Sequence, residues 1–228
     1  MAEPLVPSVG VAVLHLFCTV GEGTDRAAIE AAVKGAQDDE VQVVPVAVLG
    51  HKADLAFMVL GKDWWQLKAL QTALQVAGLT VVDSYVSMTE LSEYAQGLPE
   101  PMAQARLYPQ LPPEGMKAWC FYPMSKQRGD AHNWFSLPYE ERKALMHEHG
   151  ASGRKFAGRV LQVVTGSTGV DDWEWGVTLF AQKPDDLKEV VYTMRFDTAS
   201  TLYAEFGPFV TGAVGTLAEV LDAAGVPD

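Results

Sequence analysis

The sequence predicts an α+β fold made of two ferredoxin-like halves, because the order strand-helix-strand-strand-helix-strand occurs twice along the 228 residues. The halves are expected at residues 1–112 and 113–228, and 48% hydrophobic residues are ample for a buried core. If the two sheets combine, they form a dimeric α+β barrel covered by helices. Two separate ferredoxin-like domains that merely touch are the open alternative, since periodicity does not show how sheets meet.

The secondary structure of the first half is predicted from its apolar runs and from the turn-prone residues between them. Its opening segment is rich in β-branched residues, and Thr24 or Asp25 can cap the helix that follows. Two later apolar runs flank the turn-prone HKAD and predict an antiparallel pair. The expected elements are a strand at 9–20, a helix at 25–37, strands at 41–50 and 55–61, a helix at 64–78 and a strand at 79–91.

A proline-rich stretch follows, and it favours an extended connection over residues 92–116. The second half then repeats the order of the first. Its first helix begins at a proline and is expected to end at Gly150, both ordinary helix boundaries. The expected elements are a strand at 117–126, a helix at 138–150, a hairpin of strands at 158–167 and 172–181, a helix at 184–196, a strand at 207–212 and a helix at 214–225.

The charge of the chain argues against a polyanionic partner. Lysine and arginine total 17 against 29 aspartates and glutamates, and a net charge of -12 repels nucleic acid and anionic membranes. The first ten residues lack the basic start of a signal peptide, and the apolar segment 9–20 is too short to cross a bilayer. We therefore expect a soluble protein. Cys18 and Cys120 lie in apolar runs, so free buried thiols and a cytoplasmic location are expected.

One segment departs from the acidic average. Residues 117–159 hold eight lysines and arginines against four aspartates and glutamates, which leaves a local charge of +4. A solvated surface explains such a cluster, and so does a pocket for a small polyanion. Composition does not choose between them.

Only one of the five histidines suggests a metal ligand. His15 lies in an apolar strand and is expected in the core, while His51 and His132 lie in turn-like segments and are expected to be exposed. His147 and His149 are two residues apart and cannot share a helix face. Motifs for zinc, non-haem iron, phosphate loops and the serine hydrolase elbow are absent. A single imidazole at a helix end would suit the axial position of a porphyrin iron, a minority interpretation on spacing alone.

The end of the strand at 117–126 is a second candidate for chemistry. The stretch FYPMSKQRGDAHNWF places the phenol of Tyr122 where loops commonly carry function. A strand tyrosine is usually just packed with its hydroxyl satisfied, so propensity alone assigns Tyr122 no role.

Taken together, these segments resemble the coproheme decarboxylases, the haem-synthesising branch of the chlorite-dismutase superfamily. The resemblance runs from Arg106 to about Gly212, nearly half of the chain, and is weaker in the first half, at 50–58 and 83–94. FYPMSK combined with the downstream DDWEWG block is specific, whereas either alone is not. The matching segments are RLYP (106–109), FYPMSK (121–126), NWF-LP-EER (133–142), HG-GRK-AG (149–158), Q-TGS (162–167), DDWEWGVTLFA (171–181) and MRFD (194–197).

The resemblance implies roles for three residues at the iron. His149 falls at the position of the proximal histidine and is expected to ligate the metal. Gln162 stands where true chlorite dismutases carry a distal arginine, which removes a fixed positive charge above the iron. Tyr122 matches the catalytic tyrosine, which is thought to become a radical after peroxide oxidises the iron and to abstract hydrogen from a propionate.

The resemblance also implies how the substrate is held. Charge-assisted hydrogen bonds to carboxylates are roughly twice as strong as neutral ones. The resemblance therefore implies that the segment with a local charge of +4 helps to bind the carboxylates of the substrate. Phe135 stands where many relatives have a tyrosine. The linker between RLYP and FYP is longer than in relatives, so the match of Arg106 to a propionate-binding position is weaker than the other matches. The residues expected to hold propionates are Arg106, Lys126, Arg195 and Ser200, and those expected to line the same pocket are Tyr122, Pro123, Met124, Ser125 and Gln162.

The implied activity is peroxide-dependent oxidative decarboxylation of Fe-coproporphyrin III (coproheme) to haem b, with two propionates converted to vinyls. The substrate serves as its own redox cofactor. The family also implies a homopentamer and suggests transient contact with a ferrochelatase. The alternatives are a chlorite dismutase or haem peroxidase, disfavoured by Gln162 and Tyr122, and a haem carrier or sensor without turnover.

Overall fold

The computed structural model describes residues 3–95 and 97–227. Within this part of the chain the first half contains the six predicted elements in the predicted order. Asp25 caps the first helix, since its carboxylate accepts the backbone N–H of Ala28. The elements are β1 (Ala12–Thr19), α1 (Arg26–Asp38), β2 (Gln42–Leu49), β3 (Leu55–Gly61), α2 (Trp64–Val76) and β4 (Thr80–Thr89).

The remainder of the described chain contains ten further elements, and a short 3-10 turn at Trp134–Ser136 follows the first strand of the second half. The expected boundary at residues 112/113 falls between α3 and β5 and stays a prediction. The elements are α3 (Glu100–Leu107), β5 (Ala118–Lys126), α4 (Tyr139–Arg154), β6 (Val160–Gly166), β7 (Trp175–Ala181), α5 (Pro184–Met194), α6 (Thr198–Thr201), β8 (Ala204–Phe206), β9 (Val210–Val214) and α7 (Leu217–Ala223).

Two local predictions were wrong. The stretch 92–116 is not simply extended, because it contains α3, where Pro99 is the N-cap residue and Pro101 lies in the first turn. Proline is tolerated there, since the first N–H groups of a helix have no partner within the helix. Helix α4 also continues past Gly150 to Arg154, and it packs against α5 and α6. This tertiary packing outweighs the weak helix propensity of glycine.

All strand pairs in the described sheet are antiparallel. The order is β7-β6-β4-β1-β3-β2-β9-β5-β8, and β7 also pairs with β5, so eight strands follow one another in a closed ring with β8 beside β5. The strands of the first half follow the order β4-β1-β3-β2, and those of the second half follow the equivalent order β9-β5-β7-β6. Residues 46–49 of β2 pair with 211–214 of β9, and 88–89 of β4 pair with 165–166 of β6. The predicted α+β class is therefore confirmed.

Successive side chains along each strand point to opposite faces of the sheet, and each face contributes to a different hydrophobic core. On β5, Trp119 and Phe121 pack inside the ring against Val13 and Phe17 of β1. Cys120 and Tyr122 point to the opposite face, where α5 covers them. Cys18 and Cys120 are free and buried. The described part of the chain contains no helix with the length and apolarity needed to span a bilayer.

Candidate active site

The imidazole of His149 lies on α4 and is held by a carboxylate behind it. Its Nδ1 is 2.8 Å from Oδ2 of Asp197, which is buried, and 3.4 Å from Oγ of Ser200. Asp197 also caps α6, because Oδ1 accepts the backbone N–H of Ser200 at 2.9 Å. A carboxylate at Nδ1 favours the tautomer with its proton there, which leaves the Nε2 lone pair available for a metal.

The phenol of Tyr122 on β5 lies in an apolar surrounding. Its ring stacks on Phe209, with centroids 4.4 Å apart and planes 24° from parallel, and Phe206 is 5.7 Å away. Burial, followed by repulsion from the thiolate form of the neighbouring Cys120, raises the pKa of Tyr122 well above its usual range. Among the described residues no hydrogen bond involves the Tyr122 hydroxyl, which distinguishes it from an ordinary packed tyrosine.

Register brings Gln162 to the same face of the sheet. Tyr122 is opposite Val177 on β7, and Val177 is opposite Val164 on β6. Gln162 lies two residues before Val164 and therefore points in the same direction, with its amide exposed. Val164 remains 42% exposed on this face, which is unusual for a valine in the middle of a sheet.

Lys126 ends β5 and is buried rather than presented to solvent. Its Nζ donates to the carbonyl of Ala199 at 3.2 Å and lies 4.3 Å from the ring centroid of Trp134. Burial lowers the pKa of Lys126 to about 8, and the negative charges of Asp197 and Glu174 oppose this shift. The charge of this amine is therefore sensitive to mild alkali.

The two arginines predicted to hold carboxylates are both exposed. Arg195 immediately follows α5, and its guanidinium stacks on Tyr192 at 4.0 Å and on Phe196 at 5.0 Å. Arg106 lies in the last turn of α3. Within the described residues no hydrogen bond or ion pair joins Arg106 to another predicted site residue.

The pocket-lining residues between Tyr122 and Lys126 alternate across β5. Met124 is half-buried and points to the same face as Tyr122. The carbonyl of Pro123 accepts the N–H of Gly207 at 2.8 Å, and Oγ of Ser125 accepts the N–H of Glu174 at 3.2 Å. A cavity of about 320 Å³ opens beside this end of the strand, lined by Ser125, Lys126, Arg128, Asp172, Trp173 and Glu205.

Sequence reasoning missed the residues that complete this arrangement. The MRFD motif contains Asp197 without assigning it a role, although Asp-Thr-Ala-Ser is a helix-capping pattern that indicates a fixed carboxylate. Nothing in the local sequence of Phe206 and Phe209 predicts that both rings approach Tyr122. Glu174 was missed as well. Its buried carboxylate accepts the backbone N–H of Lys126 and pairs with Arg128.

These side chains fit an iron porphyrin better than a bare metal ion. Among residues 3–95 and 97–227, no group of three or more His, Cys, Asp or Glu side chains could hold a metal ion. His149 offers one nitrogen, while Phe206 and Phe209 remain 40% and 37% exposed around Tyr122. One axial ligand, exposed apolar rings and nearby cations suit a flat apolar ring that carries carboxylates.

The chain belongs to the chlorite dismutase family, whose profile matches residues 24–215. It is 45% identical over 177 residues to the coproheme decarboxylase of Staphylococcus carnosus, and this match covers 73% of the chain and 70% of that protein. A protein of Natronomonas pharaonis named as heme-binding is 40% identical over 207 residues, which cover 83% of this chain but only 34% of that much longer protein.

Solved structures agree with this assignment. A heme-binding protein from Thermus thermophilus superposes with a TM-score of 0.87 at 34% identity, over 99% of this chain and 100% of that one. A chlorite dismutase variant from Candidatus Nitrospira defluvii superposes with a TM-score of 0.76 over 96% and 97% of the two chains. Because the identity in that second pair is 21%, the likeness shows the fold alone.

Proposed function

We propose that this protein is a coproheme decarboxylase that uses hydrogen peroxide to convert Fe-coproporphyrin III to haem b. The observation that carries the proposal is the pair of unsatisfied functional atoms, the free Nε2 of His149 and the unpartnered hydroxyl of Tyr122. The relative from Staphylococcus carnosus, named for this activity, supports it. The cytoplasm, a homopentamer and transient contact with a ferrochelatase belong to the same proposal.

Each residue would act on a different part of the substrate. His149 binds the iron through Nε2, while Asp197 holds the imidazole in place. Lys126, Arg195, Arg106 and Ser200 bind the propionates, and the neutral amide of Gln162 places no fixed charge above the iron. Tyr122 contacts the reacting propionate. Iron and porphyrin supply the redox chemistry, whereas the protein determines which side chain of the ring lies beside the phenol.

The proposed reaction balances without a further cofactor. A propionate loses carbon dioxide, two electrons and one proton to become a vinyl group, and peroxide takes up two electrons and two protons to form two water molecules. One peroxide is therefore consumed for each propionate, and two cycles give haem b. The phenol of Tyr122 relays hydrogen from the propionate, and its raised pKa keeps it protonated at rest.

One assay tests the proposal against its alternatives. Protein loaded with coproheme is mixed with stoichiometric peroxide, and the porphyrin mass is followed with time. Two successive losses of carbon dioxide are expected. If the protein instead releases oxygen when chlorite is added, the result supports a dismutase. A porphyrin that stays unchanged supports a haem carrier or sensor.

Two variants separate binding from chemistry in this assay. Tyr122→Phe keeps the ring stack with Phe209 and is expected to bind coproheme with the wild-type spectrum yet to stall. Normal turnover by that variant would exclude the phenol from the reaction. His149→Ala is expected to lose the five-coordinate ferric spectrum, and an unchanged spectrum would mean that another residue ligates the iron.

A further inference from the structure

Trp134 is a buried, oxidisable side chain on the His149 side of the site. It is 3% exposed and forms a buried cluster with Ala199 and Tyr203, against which Leu145 and Met146 pack. Leu145 lies one helical turn before His149 on α4, and Ala199 is the neighbour of Ser200, whose hydroxyl approaches the imidazole. A buried indole among the neighbours of His149 and Ser200 is a potential electron donor to an oxidising species formed at the site.

The ammonium group of Lys126 covers this indole. Nζ lies 4.3 Å from the ring centroid and is fixed in place by its hydrogen bond to the carbonyl of Ala199, which itself packs on Trp134. Removing an electron from indole creates a positive charge on the ring. In a poorly solvated interior, a fixed cation at this distance repels that charge strongly, although it attracts the neutral ring.

We propose that Lys126 shields Trp134 from one-electron oxidation, so that the oxidising equivalents of peroxide remain available to Tyr122. This role rests on the proposed function and adds to carboxylate binding by Lys126. The reaction that it suppresses is the loss of two electrons from Trp134 to the peroxide-oxidised porphyrin, with addition of one water and release of two protons. Its product is hydroxytryptophan, and one peroxide is wasted for each residue damaged.

The first experiment uses haem-loaded protein treated with peroxide, and peptide mass spectrometry measures the oxidised fraction of Trp134. Lys126→Met removes the charge but keeps an unbranched side chain of similar length. The matched control is Arg195→Met, which removes another predicted propionate ligand, one whose cation stacks on Tyr192 and Phe196 instead. We expect several-fold more oxidised Trp134 in Lys126→Met than in the wild type or the control. Equal oxidation in Lys126→Met and wild type would overturn the proposal.

The second experiment needs no porphyrin and therefore distinguishes failure of this inference from failure of the proposed function. Porphyrin-free protein is treated with hexachloroiridate(IV), a one-electron oxidant, and Trp134 is quantified in the same way. The charged groups that influence Lys126 are Asp197 and Glu174, and its pKa is about 8. The protection relative to Lys126→Met should therefore be full near neutrality and disappear well above that pH. Protection that is absent at neutral pH, or that persists in strong alkali, would contradict shielding by the ammonium charge.

Discussion

At the scale of single residues, Asp197 serves two partners through its two oxygens. Oδ2 contacts Nδ1 of His149, and Oδ1 accepts the N–H of Ser200 as the cap of α6. A carboxylate that accepts the Nδ1 proton makes the imidazole a stronger electron donor to a bound metal. This donation favours ferric over ferrous iron.

Asp197→Asn separates these two functions, since asparagine caps helices nearly as well as aspartate but carries no charge. We expect the variant to fold normally, to bind haem, and to show a more positive ferric/ferrous reduction potential in a spectroelectrochemical titration. Asp197→Ala should show the same shift and lose in addition about 1 kcal/mol of unfolding free energy with the cap. A wild-type potential in Asp197→Asn would mean that the carboxylate does not tune the ligand.

The lowered pKa of Lys126 predicts how the affinity for coproheme depends on pH. Its amine is charged below about pH 8 and neutral above it, because burial lowers the pKa. A bound propionate favours the charged form and raises this pKa, so by linkage the affinity must fall as pH rises above the pKa of the free protein. Absorbance titrations should show this alkaline weakening in the wild type and a flatter profile in Lys126→Met. Parallel profiles would remove Lys126 from propionate binding.

The sequence predicted some site residues and could not predict others, for physical reasons. His149 and Tyr122 were assigned from family motifs, and their roles stay predictions. The contact of His149 with Asp197 spans 48 residues. Such a contact depends on how α4 and α6 pack, and no local pattern encodes that packing.

At the scale of secondary structure, the departures from prediction arise where tertiary contacts act against local propensity. The periodic strands and helices were found because alternation and helical spacing directly reflect burial. Helix α3 was missed because its prolines read as breakers, although both occupy positions that tolerate them. Helix α4 was predicted too short because Gly150 reads as a terminator, yet Gly153 packs beside Met194 of α5.

The pairing of β2 with β9 requires a glycine at position 212. A Cβ there would overlap the carbonyl oxygen of Ala47 and lie 2.7 Å from Cγ1 of Val46. Gly212→Ala should therefore lower the free energy of unfolding by about 1–3 kcal/mol, the usual cost of overpacking. Gly35→Ala is the matched control, because Gly35 lies inside α1 with open space around it and should gain about 0.5–1 kcal/mol. Urea denaturation measures both, and equal shifts would refute this account of the junction.

At the scale of the whole molecule, buried polar pairs connect the two halves across the interior of the strand ring. His15 on β1 contacts Oγ1 of Thr178 on β7 through Nε2 at 3.0 Å. The hydroxyl of Thr165 on β6 donates to that of Ser87 on β4 at 2.8 Å. Buried hydrogen bonds of this kind align the two sheets more specifically than apolar contacts do. The sequence predicted His15 in the core but not its partner, which lies 163 residues away.

The burial of His15 links this interior to acid stability. Desolvation lowers its pKa from 6.5 to about 3, and the ring packs on Phe121 with centroids 4.3 Å apart. Between these two pH values the unfolded chain binds a proton that the folded protein does not. The free energy of unfolding must therefore fall as pH decreases through this window, by at most about 1.4 kcal/mol per pH unit from this group.

His15→Gln tests the assignment, because glutamine is neutral at every pH, has a similar volume and retains a hydrogen-bonding group for Thr178. Its unfolding free energy should fall less steeply than that of the wild type between about pH 6.5 and pH 4.5, whatever its absolute stability near neutrality. Urea denaturation at closely spaced pH values measures the difference in slope. His132→Gln is the control, because His132 is exposed and its variant should follow the wild-type slope closely. If His15→Gln also follows the wild-type slope, proton uptake by His15 on unfolding does not cause the acid sensitivity.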